Sequence, residues 1–374
     1  MPEHSRYRRP IVVGALPPPV HGASIINEAV LSTLSGRGEL VRSINLSPGT
    51  LTRGLHGRSI RAFAALSGLL RLLIYCLRRE AGSLYIGLSG GTGLAIDLCF
   101  MAAARAFRLP IYVHHHSFKY LNQRSALARI AFSVAGPRST HIALCTNMGS
   151  LLKESYGVSK VCIISNAAFV DNHAEYDGRN LPRSPMALGF LGNISREKGI
   201  FEFLATLGLL RSADLQVAAL VAGPFLTNNV RTQVLAETRD MPDVVLAGPV
   251  FGSAKDEFFR KIDVLLFPSS YEHEAEPLTI LEAMSRGVPV IAWDRGCISH
   301  LVDGDAGVSI PRDASFSKTA AARILDWNNH PHYYGRTSQA ALKRFTDRRE
   351  AALQAVNVVV GALLKKGDTA FTIS

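Results

Sequence analysis

The chain has 374 residues, 47% hydrophobic and 19% charged, which excludes a disordered or fibrous protein and leaves ample material for a core. Its length is better met by two Rossmann-sized domains than by one. The formal charge of +11 is unevenly shared: residues 1–168 hold 19 Lys+Arg against 6 Asp+Glu, and the remainder 22 against 24. On charge alone, an anionic membrane or nucleic acid would suit only the basic first half.

The opening MPEHSRYRRP is polar and basic with no apolar h-region behind it, so no signal peptide is expected. Pro10–Ala15 (PIVVGA) reads as a first strand. It runs into the loop Leu16-Pro17-Pro18-Pro19-Val20-His21-Gly22-Ala23-Ser24, and a helical pattern follows over Ile25–Leu34. A strand, a Pro/Gly loop and a helix can face a phosphate, although this loop is neither a Walker A sequence nor a G-x-G-x-x-G fingerprint. Arg61–Arg79 (RAFAALSGLLRLLIYCLRR) is apolar with arginines at 61, 71, 78 and 79. It is too interrupted to cross a bilayer. The preferred reading is a helix packed on the first domain's sheet; the alternative is an amphipathic helix on anionic lipid.

Ser83–Leu88 and Ile111–His115 are further strands, with a helix over Gly93–Phe107 between them. Strands alternating with helices indicate a parallel sheet. The second of these strands ends in His114-His115-His116-Ser117. Neighbours in a strand point to opposite faces, and no nearby Asp, Glu or Cys completes a ligand set, so no metal site is expected. Ser139–Leu144 and Val161–Ile164 add two strands. Asp171–Pro185, polar and interrupted by Gly178, Pro182 and Pro185, reads as a linker. The five cysteines are scattered and never in C-x-x-C, which gives no zinc-site spacing and suits a reducing compartment. A cytoplasmic chain is therefore expected, with peripheral contact on the inner face of a membrane as an extension of that reading.

Met186–Gly192 opens a second domain as a strand, followed by Asn193-Ile194-Ser195-Arg196-Glu197-Lys198-Gly199 and a helix over Ile200–Leu210. Leu215–Gly223 and Val244–Leu246 are strands. Ile262–Phe267 is a short buried strand, apolar apart from Asp263, and Pro268–Glu276 is a loop rich in Ser, Glu and His. Pro277 fits the first helical position, where a missing N–H costs nothing. Leu278, Leu281, Ala283 and Met284 form the inward face, Gly287 ends the helix, and Val288–Ala292 is the next strand. Glu274 in the loop and Glu282 in the helix have seven residues between them. The loop leaves the carboxyl end of a strand and feeds a helix N-terminus, the place where open α/β sheets bind ligands. The final run, Glu350–Leu364, carries Leu353, Val356, Val360 and Leu364 as one stripe.

The stretch EAEPLTILEAMSRGVPVI, Glu274 to Ile291, resembles the E-x7-E signature of GT-B glycosyltransferases of the family 4 type (glycosyl transferases group 1). The usual form is E-G-F-G-L-x-x-x-E-A-M-x-x-G-x-P-V-I. The second half matches closely, whereas Ala275, Glu276 and Pro277 stand where Gly, Phe and Gly are usual. Lys198 sits in a segment similar to the family's G-R-x-x-x-E-K-G, with Asn193 at the Arg position and Arg196 as a differently spaced substitute. The first loop resembles the family's opening, which places Gly22 closest to substrate, with Ala23 where a second Gly often sits.

The resemblance implies an α/β protein of the GT-B fold, two Rossmann-like domains with parallel sheets facing across a cleft. The acceptor domain would be 1–170, with the helix at about 350–364 packing back on it. Residues 171–185 would be the linker and 186–346 the donor domain. It implies retaining transfer of a sugar from a UDP- or GDP-linked donor to a glycan or lipid-linked acceptor, as in surface polysaccharide assembly. Glu274 would hold sugar hydroxyls, Glu282 the nucleotide ribose, and Lys198 with the helix after Pro277 and Leu278 the diphosphate. His116, or His114 as second choice, would lie near the donor sugar, and Gly248–Gly252 near the base. No cofactor beyond the co-substrate and no metal are implied, since Asp303-Gly304-Asp305 resembles the family's D-G turn. Nucleic acid is not an expected partner. Two alternatives remain open: a sugar-nucleotide epimerase on the same architecture, and a non-catalytic membrane- or nucleic-acid-binding protein driven by the basic half.

Overall fold

The computed structural model describes residues 8–38, 40–47, 55–173, 181–184 and 186–365, without the side chains of 55–59 and 61. The chain divides into two compact units, Met1–Phe169 with Ala351–Ser374, and Val170–Glu350. The segment read as a linker lies mostly at 174–180 and 185, outside the described residues. Of its described part, Arg183 pairs with Asp263 at 2.8 Å.

The first unit runs β1 (Arg9–Gly14), α1 (Gly22–Ser35), β2 (Arg42–Asn45), α2 (Leu55–Leu77), β3 (Ala81–Gly87), α3 (Leu94–Ala106), β4 (Ile111–His114), α4 (Lys119–Asn122), α5 (Ala126–Ala135), β5 (Thr140–Ala143), α6 (Thr146–Tyr156) and β6 (Lys160–Ile163). Its strands form one parallel sheet in the order β2-β1-β3-β4-β5-β6. The apolar runs of β1 and β3 are buried on both faces, as parallel strands covered by helices must be. The edge strand β2 escapes a pattern search because only Ile44 of Arg-Ser-Ile-Asn is buried. α2 packs inward through Gly68, Leu72 and Cys76, four residues apart. A Cβ at Gly68 would stand 2.6 Å from Ile44 Cγ2, so the absent side chain permits the close approach. Ala352, Val356, Val359, Val360 and Leu363 belong to this unit's core beside Val12, Tyr85 and Ile142.

The second unit runs β7 (Met186–Leu191), α7 (Ile200–Ser212), β8 (Val217–Ala222), α8 (Asn228–Glu237), β9 (Val244–Gly248), α9 (Ser253–Lys261), β10 (Val264–Phe267), α10 (Leu278–Met284), β11 (Val290–Trp293), α11 (Ile298–Val302), β12 (Gly307–Ile310), α12 (Phe316–Asn329) and α13 (Pro331–Leu364), whose last residues enter the first unit's core. The sheet is parallel in the order β12-β11-β10-β7-β8-β9. This is the doubly wound order, with its reversal between β7 and β10. Asp263, the one polar residue of the run Ile262–Phe267, is buried and spends its charge on the fold. Its carboxylate accepts from Ala187 N at 2.8 Å and from Arg183 Nη1 at 2.8 Å.

Candidate active site

A doubly wound sheet binds ligands at the carboxyl ends of the two strands where its order reverses. In the second unit these are β7 and β10. The loop after β7 carries Asn193 to Gly199, and the loop after β10 carries Pro268 to Pro277. They are tied by main chain: Ser270 N donates to Glu197 O at 2.7 Å, and Ser270 Oγ to the same oxygen at 3.1 Å.

This bond places Lys198 over the second loop. Its ammonium pairs with Glu274 Oε1 and lies 5.0 Å from the centroid of the Tyr271 ring. Ser269 Oγ donates to the same carboxylate oxygen at 3.0 Å. Two glycines make the geometry. Gly199 caps α7 with φ +83°, and a Cβ there would stand 1.9 Å from Pro268 O. Gly296, with φ +56°, lies against Glu274 so closely that a Cβ would be 2.3 Å from Glu274 O. Its neighbour Cys297 donates to Ala275 O at 2.8 Å. Arg295 also senses this pocket: burial and Arg312 lower its pKa, while the charges of Glu272 and Glu274 raise it.

Glu282 stands on α10, which the Glu274 loop feeds. Its Oε1 lies 2.5 Å from Lys255 Nζ, and its Oε2 is buried with no partner among the described residues. One turn on, Arg286 donates to Glu282 O at 2.9 Å and pairs with Asp256. Adjacent residues of α9, Lys255 and Asp256, thus hold Glu282 and Arg286, and the Glu282 carboxylate is fixed through one of its two oxygens.

Pro277 is not the first helical residue. With φ −66° and ψ 125° it is the N-cap, and Leu278 begins the helix. Pro277 O accepts from Ile280 N at 3.2 Å and Leu281 N at 3.4 Å, so its carbonyl starts the helical ladder. The amides of Leu278 and Thr279 precede the first intrahelical bond. Asn193 is exposed just past β7. Arg196 does not replace the missing family arginine beside Glu274: its guanidinium bonds Gln233 and stacks 4.4 Å from the Phe201 centroid. Asp303-Gly304-Asp305 is a turn. Asp303 Oδ1 accepts from Gly304 N at 2.8 Å, and Arg344 holds Asp305 at 3.1 Å.

In the first unit the order reverses between β1 and β3. Asn27 fills the seam: a Cβ on Gly14 or Gly87 would clash with it at 2.6 Å or 2.1 Å, and its Nδ2 donates to Ala15 O at 3.0 Å. The helix after β1 begins earlier than its apolar pattern, at Gly22, because His21 caps it. His21 Nδ1 accepts from Ser24 N at 3.2 Å, and Ser24 Oγ accepts from His21 N at 2.9 Å. Gly22 faces open space, with nothing within 4 Å of a Cβ built there.

The three histidines at the end of β4 divide as the pleat requires. His114 and His116 share one side, ring centroids 4.3 Å apart, and Tyr85 Oη lies 2.6 Å from His114 Nδ1. His115 turns the other way, 2.7 Å from Tyr120 Oη and 2.9 Å from His141 Nδ1. Burial, and then the charge of His21, lowers the His116 pKa to about 3, so that ring is neutral at pH 7 and its Nε2 has no partner among the described residues.

Lys198 and Glu274 are therefore brought together, with Glu282, Pro277 and Leu278 on the adjoining helix. In the first unit Gly22 begins the helix after β1, and His116 lies in the loop after β4. Sequence reasoning missed Lys255, Ser269 and Arg295. The first is an ordinary helical lysine 27 residues from its partner, and no local pattern points to it.

Residues 185–326 match the family described as glycosyl transferases group 1. The chain is 25% identical over 218 residues to the glycogen synthase of Mycobacterium tuberculosis, covering 57% of this chain and 50% of that protein. It is 35% identical over 115 residues to the GDP-mannose-dependent alpha-mannosyltransferase of Mycolicibacterium smegmatis, covering 31% of this chain and 27% of that one. The chain spans half or less of the length of these relatives. Among solved structures, Anabaena Alr3699/HepE in complex with UDP superposes with a TM-score of 0.67 at 15% identity, over 94% of this chain and 100% of that one. Two parallel Rossmann-type sheets and these structural matches converge: the chain has the GT-B fold, and its second unit, which carries the E-x7-E stretch at the reversal, matches the glycosyl transferases group 1 family over residues 185–326.

Proposed function

We propose that the protein is a retaining, metal-independent glycosyltransferase that moves a sugar from a UDP- or GDP-linked donor to a glycan or lipid-linked acceptor. The observation that carries this reading is the pairing of Lys198 with Glu274 at the β7/β10 reversal, beside the helix that holds Glu282. As the bond from the anomeric carbon to phosphate oxygen breaks, the leaving diphosphate gains negative charge. Lys198 and the first amides of α10 stabilise that charge. The acceptor oxygen bonds to the same face of the sugar, and its proton passes to the departing phosphate. Glu274, partly released from Lys198 as the diphosphate arrives, accepts from sugar hydroxyls.

Glu282 Oε2 accepts from the ribose hydroxyls. Asn193 lies beside the diphosphate as a neutral donor, and Lys198 carries the positive charge there. By the family resemblance His116 serves the donor sugar as a neutral ring and Gly22 the approach of substrate to backbone. The Asp303-Gly304-Asp305 turn is committed to Gly304 N and Arg344, which supports a reaction without a divalent metal. Surface polysaccharide assembly extends this reading to the acceptor. The test is release of nucleoside diphosphate from UDP- and GDP-sugars, with and without EDTA. EDTA-insensitive release that stops in Lys198→Ala supports the reading. Release that requires added Mg²⁺ or Mn²⁺, or that persists at the full rate in the variant, contradicts it.

A further inference from the structure

We infer that the outer face of α2 is a docking surface for an anionic lipid bilayer. Phe63, Leu66, Leu70 and Leu77 are 73%, 69%, 58% and 71% exposed. Their spacings of three, four and seven residues put them on one side of a helix, opposite Gly68, Leu72 and Cys76, which face the sheet. Four large apolar side chains in register are a patch, unlike scattered surface leucines. Arg71 and Arg78, seven residues apart, run along one flank of that face, and Arg79 follows; all three are exposed. The helix contains no Asp or Glu.

This arrangement selects the occupant. An interfacial helix buries Phe and Leu at the level of the headgroups while arginines at its margin meet lipid phosphates. A second copy of the chain is disfavoured, because it would present the same arginines to the patch and no carboxylate to answer them. Crossing the bilayer is a different matter: among the described residues no helix is long and apolar enough to do so. The inference stands apart from the donor chemistry, since α2 carries none of the residues assigned to it.

The test is flotation of the full chain with vesicles of phosphatidylcholine, with and without phosphatidylglycerol. The chain floats only with the anionic vesicles, and less as salt rises. Arg71→Gln and Arg78→Gln each weaken recovery about fivefold. The triple change Phe63→Ser, Leu66→Ser, Leu70→Ser abolishes it, while thermal unfolding and nucleotide binding stay at wild-type values. Equal flotation on neutral vesicles, no flotation, or flotation retained by the triple variant overturns the inference. A dimer in solution that the triple variant dissociates also overturns it, since the patch would then be an interface between copies.

Discussion

Lys255 Nζ lies 2.5 Å from Glu282 Oε1, while the second oxygen of that carboxylate is buried with no partner among the described residues. One oxygen is held and the other is left to accept. A carboxylate fixed by a cation on a neighbouring helix is prepared for a ligand's hydroxyls, because little orientation is lost on binding. Lys255→Met should therefore raise the dissociation constant for the nucleoside diphosphate about tenfold. Its cost in stability should stay below about 1 kcal/mol, as for a partly exposed pair. Isothermal titration calorimetry and urea unfolding read the two effects separately. An unchanged dissociation constant would count against the ribose role of Glu282.

In the proposed mechanism Lys198 carries the electrostatic step. Lys198→Ala should lower kcat by about 10²–10³, the scale of losing one stabiliser of developing negative charge. KM for the donor should move less. Steady-state release of nucleoside diphosphate measures both, and a fall in kcat of under about threefold rejects the role.

Two glycines should part company on substitution to alanine. Gly199 combines φ +83° with a Cβ position 1.9 Å from Pro268 O, so Gly199→Ala should destabilise by about 3 kcal/mol or more. Gly22 has open space around its Cβ position, and Gly22→Ala should leave the unfolding temperature unchanged while lowering kcat/KM. A Gly22→Ala variant with full activity would remove Gly22 from the substrate's path.

Asp97 gives a pH signature. Burial raises its pKa to about 7 from an ordinary 3.8, against the lowering effect of its bonds from Ser89. The native state then binds more protons than the unfolded chain between about pH 4 and 7, so this contribution is lost as pH rises through that window. His141, lowered by burial from 6.5 to about 4, acts with the opposite sign and costs stability as pH falls through that range. The unfolding temperature of Asp97→Asn relative to wild type should therefore climb from pH 4 to 7 and level off above. A gap that does not vary with pH contradicts the assignment.

Much of this was legible before the structure. The Glu274–Ile291 stretch declares strand, loop, helix and strand through apolar runs and a proline–glycine bracket, and those elements form where the pattern puts them, within a few residues. Lys198 was legible only through resemblance, since its meeting with Glu274 depends on sheet order. Pro277 illustrates a finer limit. Proline suits both the N-cap and the first helical turn, and the choice lies in ψ, which the tied loop sets. The start of α1 was misplaced because histidine is an unusual cap, and β2 was missed because a polar edge strand has one buried side chain. Lys255 was invisible for a deeper reason, since a lysine on an exposed helical turn looks the same whether solvated or paired.

The most direct measurement is thermal unfolding with UDP, GDP and their sugar conjugates, on the wild-type chain and on Glu282→Ala. A bound nucleotide at about 100 times its dissociation constant stabilises the native state by about 2.7 kcal/mol. The account predicts a rise in unfolding temperature with one of the two nucleoside diphosphates and its sugars, diminished in the variant. No rise with any of them, or a rise of the same size in Glu282→Ala, would contradict the donor site.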